Sequence, residues 1–109
     1  MAEPTLQEVF GANATQDVNS ITIDKSDLTA LTASATNTAE SLLTAITLKA
    51  IDYLNQTNFD NNLDQSILVE LGLSSFLTRG PNNDNYRTDQ ITETLAKLYS
   101  NGIIDPDNY

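Results

Sequence analysis

Apolar residues recur at helical spacing over one long stretch of this chain, residues 38–56. Its apolar positions follow one another at steps of three or four, which is typical of a helix that packs one face against a core. The positions on this face are Ala39, Leu43, Ile46, Ala50 and Tyr53, with Leu42 and Leu54 beside them. We therefore predict a long central helix over residues 38–56, capped by Thr36 or Asn37.

The opposite face of this helix also carries apolar side chains. At about 100° per residue, Leu48 lies opposite Ile46 among polar neighbours, with Ile51 beside it. A helix buried on one side only would not need Leu48 there. Ala45, Leu48 and Ile51 therefore form a candidate interface with another protein chain. Coverage of Leu48 by a second segment of the same chain explains the pattern almost equally well.

Two shorter segments precede the central helix. Residues 5–10 predict a helix of at most two turns, which begins after Pro4 and stops at Gly11. Residues 17–24 alternate apolar and polar side chains, and this alternation predicts one short strand.

Residues 66–79 fit two structures. As a strand they place four apolar residues on one face: Ile67, Val69, Leu71 and Leu73. As a helix that ends at Gly72 they use Leu63, Ile67, Leu68 and Leu71. The β-branched Ile67 and Val69 favour the strand, in which Gly72 marks a bulge or bend. We predict the strand.

Residues 88–100 are ambiguous as well. Ile91, Leu95 and Leu98 stand at helical spacing. The same Thr-rich segment fits the returning strand of a hairpin, because it follows a run of turn-forming residues at 80–85. We predict the helix and keep the hairpin as the alternative.

Together these segments predict an α+β protein with a single domain over residues 1–109. One long central helix is expected to pack on a small, mainly antiparallel sheet, with short terminal helices. The sheet is expected to contain residues 17–24 and part of 66–79. A content of 39% apolar residues is enough for one modest core.

The charge balance limits the partners. The chain has 5 basic and 15 acidic residues, a net charge of −10, and this charge repels phosphate backbones and anionic lipid surfaces. We therefore expect no nucleic acid and no membrane among its partners, and a protein partner instead, including a second copy of the chain. No apolar run is long enough to span a bilayer and no secretory signal pattern is present, so we expect a cytoplasmic protein.

The missing residue types exclude most enzyme mechanisms. Without His or Cys, Ser-His and Cys-His nucleophiles are impossible within one chain, and a zinc site would need carboxylates alone. The four glycines are isolated, so no phosphate-binding glycine loop can form. We predict a protein that is not an enzyme and holds no cofactor.

Calcium is the one ion whose ligand chemistry suits this composition. Asp60, Asn62 and Asp64, in a predicted turn at 58–64, occupy the first, third and fifth places of a calcium-binding loop. Gln65 stands where that loop requires Gly, and the bidentate Glu is missing. The same residues are typical of a simple turn, which is the favoured interpretation.

Two of the few cations, Arg79 and Arg87, bracket the loop at 80–85. We expect them to pair locally with Asp84 or Asp89 rather than with a partner's carboxylate. The sequence thus predicts a non-catalytic interaction or assembly component that can form a homo-oligomer. The alternative is a calcium-binding module.

Overall fold

The computed structural model of the protein describes residues 2–97 and 102–109. Its helices and strands are α1 (Leu6–Phe10), β1 (Thr15–Gln16), β2 (Ile21–Thr22), α2 (Ala39–Ile51), α3 (Gln56–Asn61), β3 (Ile67–Arg79) and β4 (Asp84–Leu95). Short 3₁₀ turns lie between β2 and α2, at Lys25–Asp27, and after β4, at Pro106–Asn108. The combination of helices with antiparallel strands confirms the predicted α+β class.

Helix α1 is held by a reciprocal cap at its start. The Glu8 N–H donates to Thr5 Oγ1 at 3.1 Å, and the Thr5 N–H donates to Glu8 Oε1 at 2.9 Å. Gly11 ends the helix with a φ of 120°, a region that favours glycine. The helix predicted over residues 5–10 is therefore confirmed.

Helix α2 begins at Ala39, just after the predicted start at residue 38, and it ends earlier than predicted. Thr38 caps it by accepting a hydrogen bond from the Ser41 N–H, one or two residues after the predicted caps. The helix ends at Ile51, because Asn55 starts α3 by accepting the Asn58 N–H at 2.9 Å. The prediction of one helix over residues 38–56 was wrong in its last turn, and the predicted turn at 58–64 was wrong in its first half.

The inward face of α2 also differs from the prediction. Within α2, whose residues are all described, Ala45 is the one buried side chain, whereas Leu43 is 67% exposed. The residues from Ile46 to Ile51 are all half-buried. This follows from the packing, since α2 contacts both α1 and β3. Helix α2 therefore does not have the one buried face and one exposed face that the sequence predicted.

The strands form two separate antiparallel pairs instead of one sheet. Strand β1 pairs with β2, with Thr15 opposite Thr22, while β3 pairs with β4. The expected sheet that joined residues 17–24 to residues 66–79 is thus wrong. The strand predicted at 66–79 is confirmed as β3.

The predicted helix at 88–100 was wrong over the described part of that segment. Residues up to Leu95 belong to β4, which pairs along its length with β3, so the hairpin alternative is correct. In this pairing every second residue of β4 exchanges backbone hydrogen bonds with β3. These hydrogen bonds outweigh the weak preference for a helix that the spacing of a few apolar residues indicated. Residues 98–101 lie outside the described residues.

The hairpin has one bulge and a tight turn. Gly72 and Leu73 together oppose the single residue Gln90, which confirms Gly72 as part of a bulge. A Cβ on Gly72 would lie 3.1 Å from the Gln90 carbonyl oxygen, so the close approach favours glycine. At the tip, the Asn83 N–H donates to the Gly80 carbonyl at 3.1 Å, and Asn83 adopts a φ of 54°.

The buried core of the described residues is small. Its apolar members are Ala14, Leu28, Ala45, Leu54, Leu68 and Val69. The hairpin contributes only its first residues, and the Val69 N–H donates to the Leu54 carbonyl at 2.8 Å. Buried Asn62 fixes the N-terminal segment, since its side-chain amide donates to the Ala2 carbonyl at 2.9 Å. Most of the hairpin lies beyond this core.

Candidate protein-interaction surface

The outer part of the β3–β4 hairpin, residues 71–91, is here called the arm. All of these residues are described, and none of them is buried. Only Thr88 and Ile91 are half-buried. The arm is therefore held by its own strand pairing and not by packing against the helices.

Large apolar side chains stand exposed along the arm. Leu71 is 71% exposed, Phe76 is 68% exposed, and Leu73, Leu77 and Tyr86 are also exposed. They occupy both faces, because residues directly opposite each other share a face and successive residues alternate. Phe76 lies opposite Arg87 on one face, and Leu77 lies opposite Tyr86 on the other.

This arrangement is unfavourable for a segment surrounded only by water. An isolated two-stranded hairpin is marginally stable at best, and three or more strands or packing against a helix are needed for independent stability. Exposed apolar patches on a protein surface commonly mark contacts with other proteins. The arm thus has the chemistry of a surface that is covered in use.

The charges of the arm differ from those of the rest of the chain. Arg79, Asp84, Arg87 and Asp89 are its ionised residues, so the arm is neutral and the net charge of −10 lies on the remaining residues. The arm therefore avoids the repulsion that two such acidic proteins would otherwise meet on approach.

A small polar network lies on one face of the arm. The Arg87 guanidinium lies 3.1 Å from Asp89 Oδ1, and the Ser74 hydroxyl donates to the same oxygen at 2.6 Å. The Ser74 hydrogen bond and, after it, the Arg87 charge hold the pKa of Asp89 below its ordinary value. The local ion pair predicted for Arg87 is confirmed. Arg79 uses a different contact, with its guanidinium 5.2 Å from the centre of the Tyr86 ring.

The predicted interface on α2 lies elsewhere. Ala45 is 4% exposed, and Leu48 and Ile51 are half-buried. A shallow groove of about 290 Å³ beside Ala45 and Leu48 is lined by Ala30 and Leu31 as well. A segment of the same chain thus approaches part of this strip. Contact of Ala45, Leu48 and Ile51 with another chain stays a prediction.

The candidate calcium ligands have structural partners. Asp60 lies in α3, where it accepts a hydrogen bond from Gln56 at 2.7 Å. Asn62 donates to the Ala2 carbonyl, and its oxygen accepts the Asp64 N–H at 3.0 Å. These bonds give Asn62 a structural role, and calcium binding by Asp60, Asn62 and Asp64 stays an alternative prediction.

Within residues 2–97 and 102–109, no three acidic side chains come together in a way that could hold a metal ion. No helix among these residues is long and apolar enough to cross a membrane.

Comparison with known proteins assigns the chain to no family. No protein-family model, no curated protein and no solved structure matches it. What the chain does must therefore be inferred from its own surface chemistry.

The arm surface was missed by the sequence reasoning, which placed the contact on α2. One signal for it was present. Residues 67–79 form a strand more than twice the usual length of about 5–6 residues, and a core of this size cannot cover such a strand. Apolar residues at its far end, such as Phe76 and Leu77, were therefore candidates for contact with another chain.

Proposed function

We propose that this protein is a non-catalytic assembly component that acts by protein–protein contact and self-associates through its arm. The exposed apolar side chains on both faces of a two-stranded hairpin carry this proposal. Covering apolar surface stabilises a complex by about 25 cal/mol per Å². A hairpin that is marginal alone gains most from such a cover.

The shape of the molecule supports contact through the arm. The described residues extend over 51 × 36 × 27 Å. A neutral segment that lies outside the buried core can contact a second molecule while the acidic parts of both chains stay apart. A second copy of the chain is therefore a physically acceptable partner.

The α2 strip is a second candidate surface within the same proposal. Substitution of Leu48 by Asp should dissociate an oligomer that uses α2, because it places a charge in an apolar contact. An oligomer that uses the arm alone should survive this substitution. The variant therefore separates the two surfaces.

Self-association is tested by size-exclusion chromatography with light scattering, at concentrations from about 10 µM to about 1 mM, where weak to moderate affinities become visible. We expect the mass to rise above the 11.9 kDa of one chain. A constant mass of one chain over this range would contradict the proposal.

A matched pair of variants shows which surface is used. Replacing Leu73 and Phe76 by Thr should lower the associated fraction of an oligomer that covers the faces of the arm, because both side chains are exposed there. Replacing Leu43 and Leu63 by Thr removes two comparably exposed apolar side chains elsewhere and should leave association unchanged. Equal effects of the two changes would argue against contact through the faces of the arm.

A further inference from the structure

The two outer edges of the hairpin are not equivalent. The edge of β3 is bonded to the body of the protein at the base of the hairpin, where the Val69 N–H donates to the Leu54 carbonyl, and the bulge at Gly72 interrupts this edge further out. Along the outer edge of β4, the described residues supply no backbone hydrogen bond. Strand β4 therefore presents an open row of donors and acceptors, which is a template for pairing with another strand.

The residues that face outward on this edge follow from the antiparallel ladder. The Ala96 N–H donates to the Ser66 carbonyl just below the strands, so residue 96 points its peptide groups toward β3. Because this direction alternates along a strand, the even-numbered residues of β4 point inward and the odd-numbered ones point outward. Arg87, Asp89 and Ile91 thus offer free peptide groups.

A second copy of the chain can meet this edge only in certain registers. In an antiparallel pair, residues opposite each other have their side chains on the same face of the sheet. Even-numbered residues of β4 therefore lie opposite even-numbered ones, and odd-numbered residues opposite odd-numbered ones. In a pair with twofold symmetry, this means that the axis passes through a residue that lies opposite its own copy. An axis at Arg87 or at Asp89 brings like charges together. An axis at Thr88 instead places Arg87 opposite the second copy's Asp89, and this contact occurs twice.

We propose that β4 pairs with the β4 of a second copy about a twofold axis at Thr88, which makes one four-stranded antiparallel sheet from two arms. This assembly rests on the proposed function and gives it a partner and a register. The paired segment covers residues 84–92, about 30 Å of strand at ~3.4 Å per residue.

The side chains at the axis suit this pairing. The side chains of Arg87 and Asp89 are 67% and 59% exposed, so both are accessible to a second chain. In the dimer they form an alternating square of two arginines and two aspartates on one face, with the two Thr88 side chains adjacent on the other. Opposite charges and Thr–Thr pairs are both favourable when directly cross-strand.

The four-stranded sheet also resolves the weakness of the isolated arm. Each β4 gains a neighbour on its open edge, while Leu73 and Phe76 stay on the outer β3 strands of the sheet. Three or more strands with an apolar face are what an independently stable sheet needs. The bulge at Gly72 lies on β3, away from the new contact, and leaves the β4 edge regular.

Two charge reversals test the register, with association measured by light scattering. Arg87→Asp places four aspartates around the axis and Asp89→Arg places four arginines there. We expect the dimer dissociation constant of each single variant to rise by about tenfold or more. Mixing the two variants restores opposite charges at every contact, so an equimolar mixture should associate at least as well as the wild type.

The mixture distinguishes loss of contacts between chains from loss of contacts within one chain. Mixing can restore the opposite charges between two chains, but it cannot restore a contact that a substitution removed within its own chain. The double variant Arg87→Asp with Asp89→Arg should also recover the dimer. Arg79→Asp and Glu70→Arg change the net charge equally but lie on β3, so they serve as matched controls and should leave the constant within about threefold. Circular dichroism checks that every variant is folded.

The other outcomes overturn this inference in distinguishable ways. If the wild type associates but neither single variant weakens, or if the mixture and double variant fail to recover, the Thr88 register is wrong while the proposed function stands. An axis at Gln90 would explain a mixture and a double variant that fail to recover, because Arg87 would then lie opposite the second copy's Glu93. A wild type that stays at the mass of one chain overturns both.

Discussion

The β3–β4 hairpin passes through two environments that share one backbone pattern. Near its start, Leu68 and Val69 are buried against the helices, and β3 also bonds to the Leu54 carbonyl. Beyond Leu71 the same ladder continues with no buried residue. Strand pairing therefore extends further than the core. The base of the hairpin is packed within one chain, whereas the arm is exposed and available for contact with another chain.

The largest expected contrast compares two leucines three residues apart on β3. Leu68 is 6% exposed and Leu71 is 71% exposed. Leu68→Ala should lower the free energy of unfolding by about 2–5 kcal/mol, because it removes buried methyl groups and leaves a cavity. Leu71→Ala should cost less than about 1 kcal/mol. Urea unfolding of dilute protein measures both, and equal losses would show that the arm is packed within the monomer.

A second contrast compares two glycines with positive φ. Gly11 has a φ of 120°, and an added Cβ would collide with the Asp27 side chain, whereas Gly80 has a φ of 83° and open space around it. Gly11→Ala should lower the melting temperature strongly, with about 2 kcal/mol or more lost. Gly80→Ala should cost about 1–2 kcal/mol, from backbone strain alone. A smaller loss at Gly11 would contradict the close packing at the end of α1.

The smallest effect concerns the polar network on the arm. Ser74→Ala removes the main cause of the lowered pKa of Asp89, so this pKa should rise toward its ordinary value of 3.8. The stabilisation from a carboxylate with a lowered pKa is present above that ordinary value and is lost as the pH falls through the lowered one. Carboxyl-carbon NMR titration measures the change. Ser75→Ala alters the opposite face and is the matched control; an equal response would exclude the Ser74 contact.

Local patterns predicted those elements whose signals lie close together in sequence. The capped helix before Gly11 and the strand with a bulge at Gly72 each depend on residues within a few positions. In contrast, Ile91 and Leu95 are four residues apart, a spacing that places them on one face of a helix and of a strand alike. The pairing with β3 decided between the two.

The remaining features depend on residues that are distant in sequence. The face of α2 that is buried is set by α1 on one side and β3 on the other, so Leu43 could not be recognised as exposed from the helix alone. The bond of the Asn62 amide to the Ala2 carbonyl likewise joins residues 60 positions apart, so no local pattern indicates it. The arm required knowledge of how far the core reaches along β3.

The outward backbone N–H groups of β4 give the most direct test of whether the arm pairs with a second copy of the chain. Residue-resolved amide hydrogen exchange, measured at low and high protein concentration, should show protection of Arg87, Asp89 and Ile91 that rises with concentration. The Val69 amide, bonded to the Leu54 carbonyl, should be protected at both concentrations. Exchange at Arg87, Asp89 and Ile91 that stays fast and independent of concentration would contradict the account.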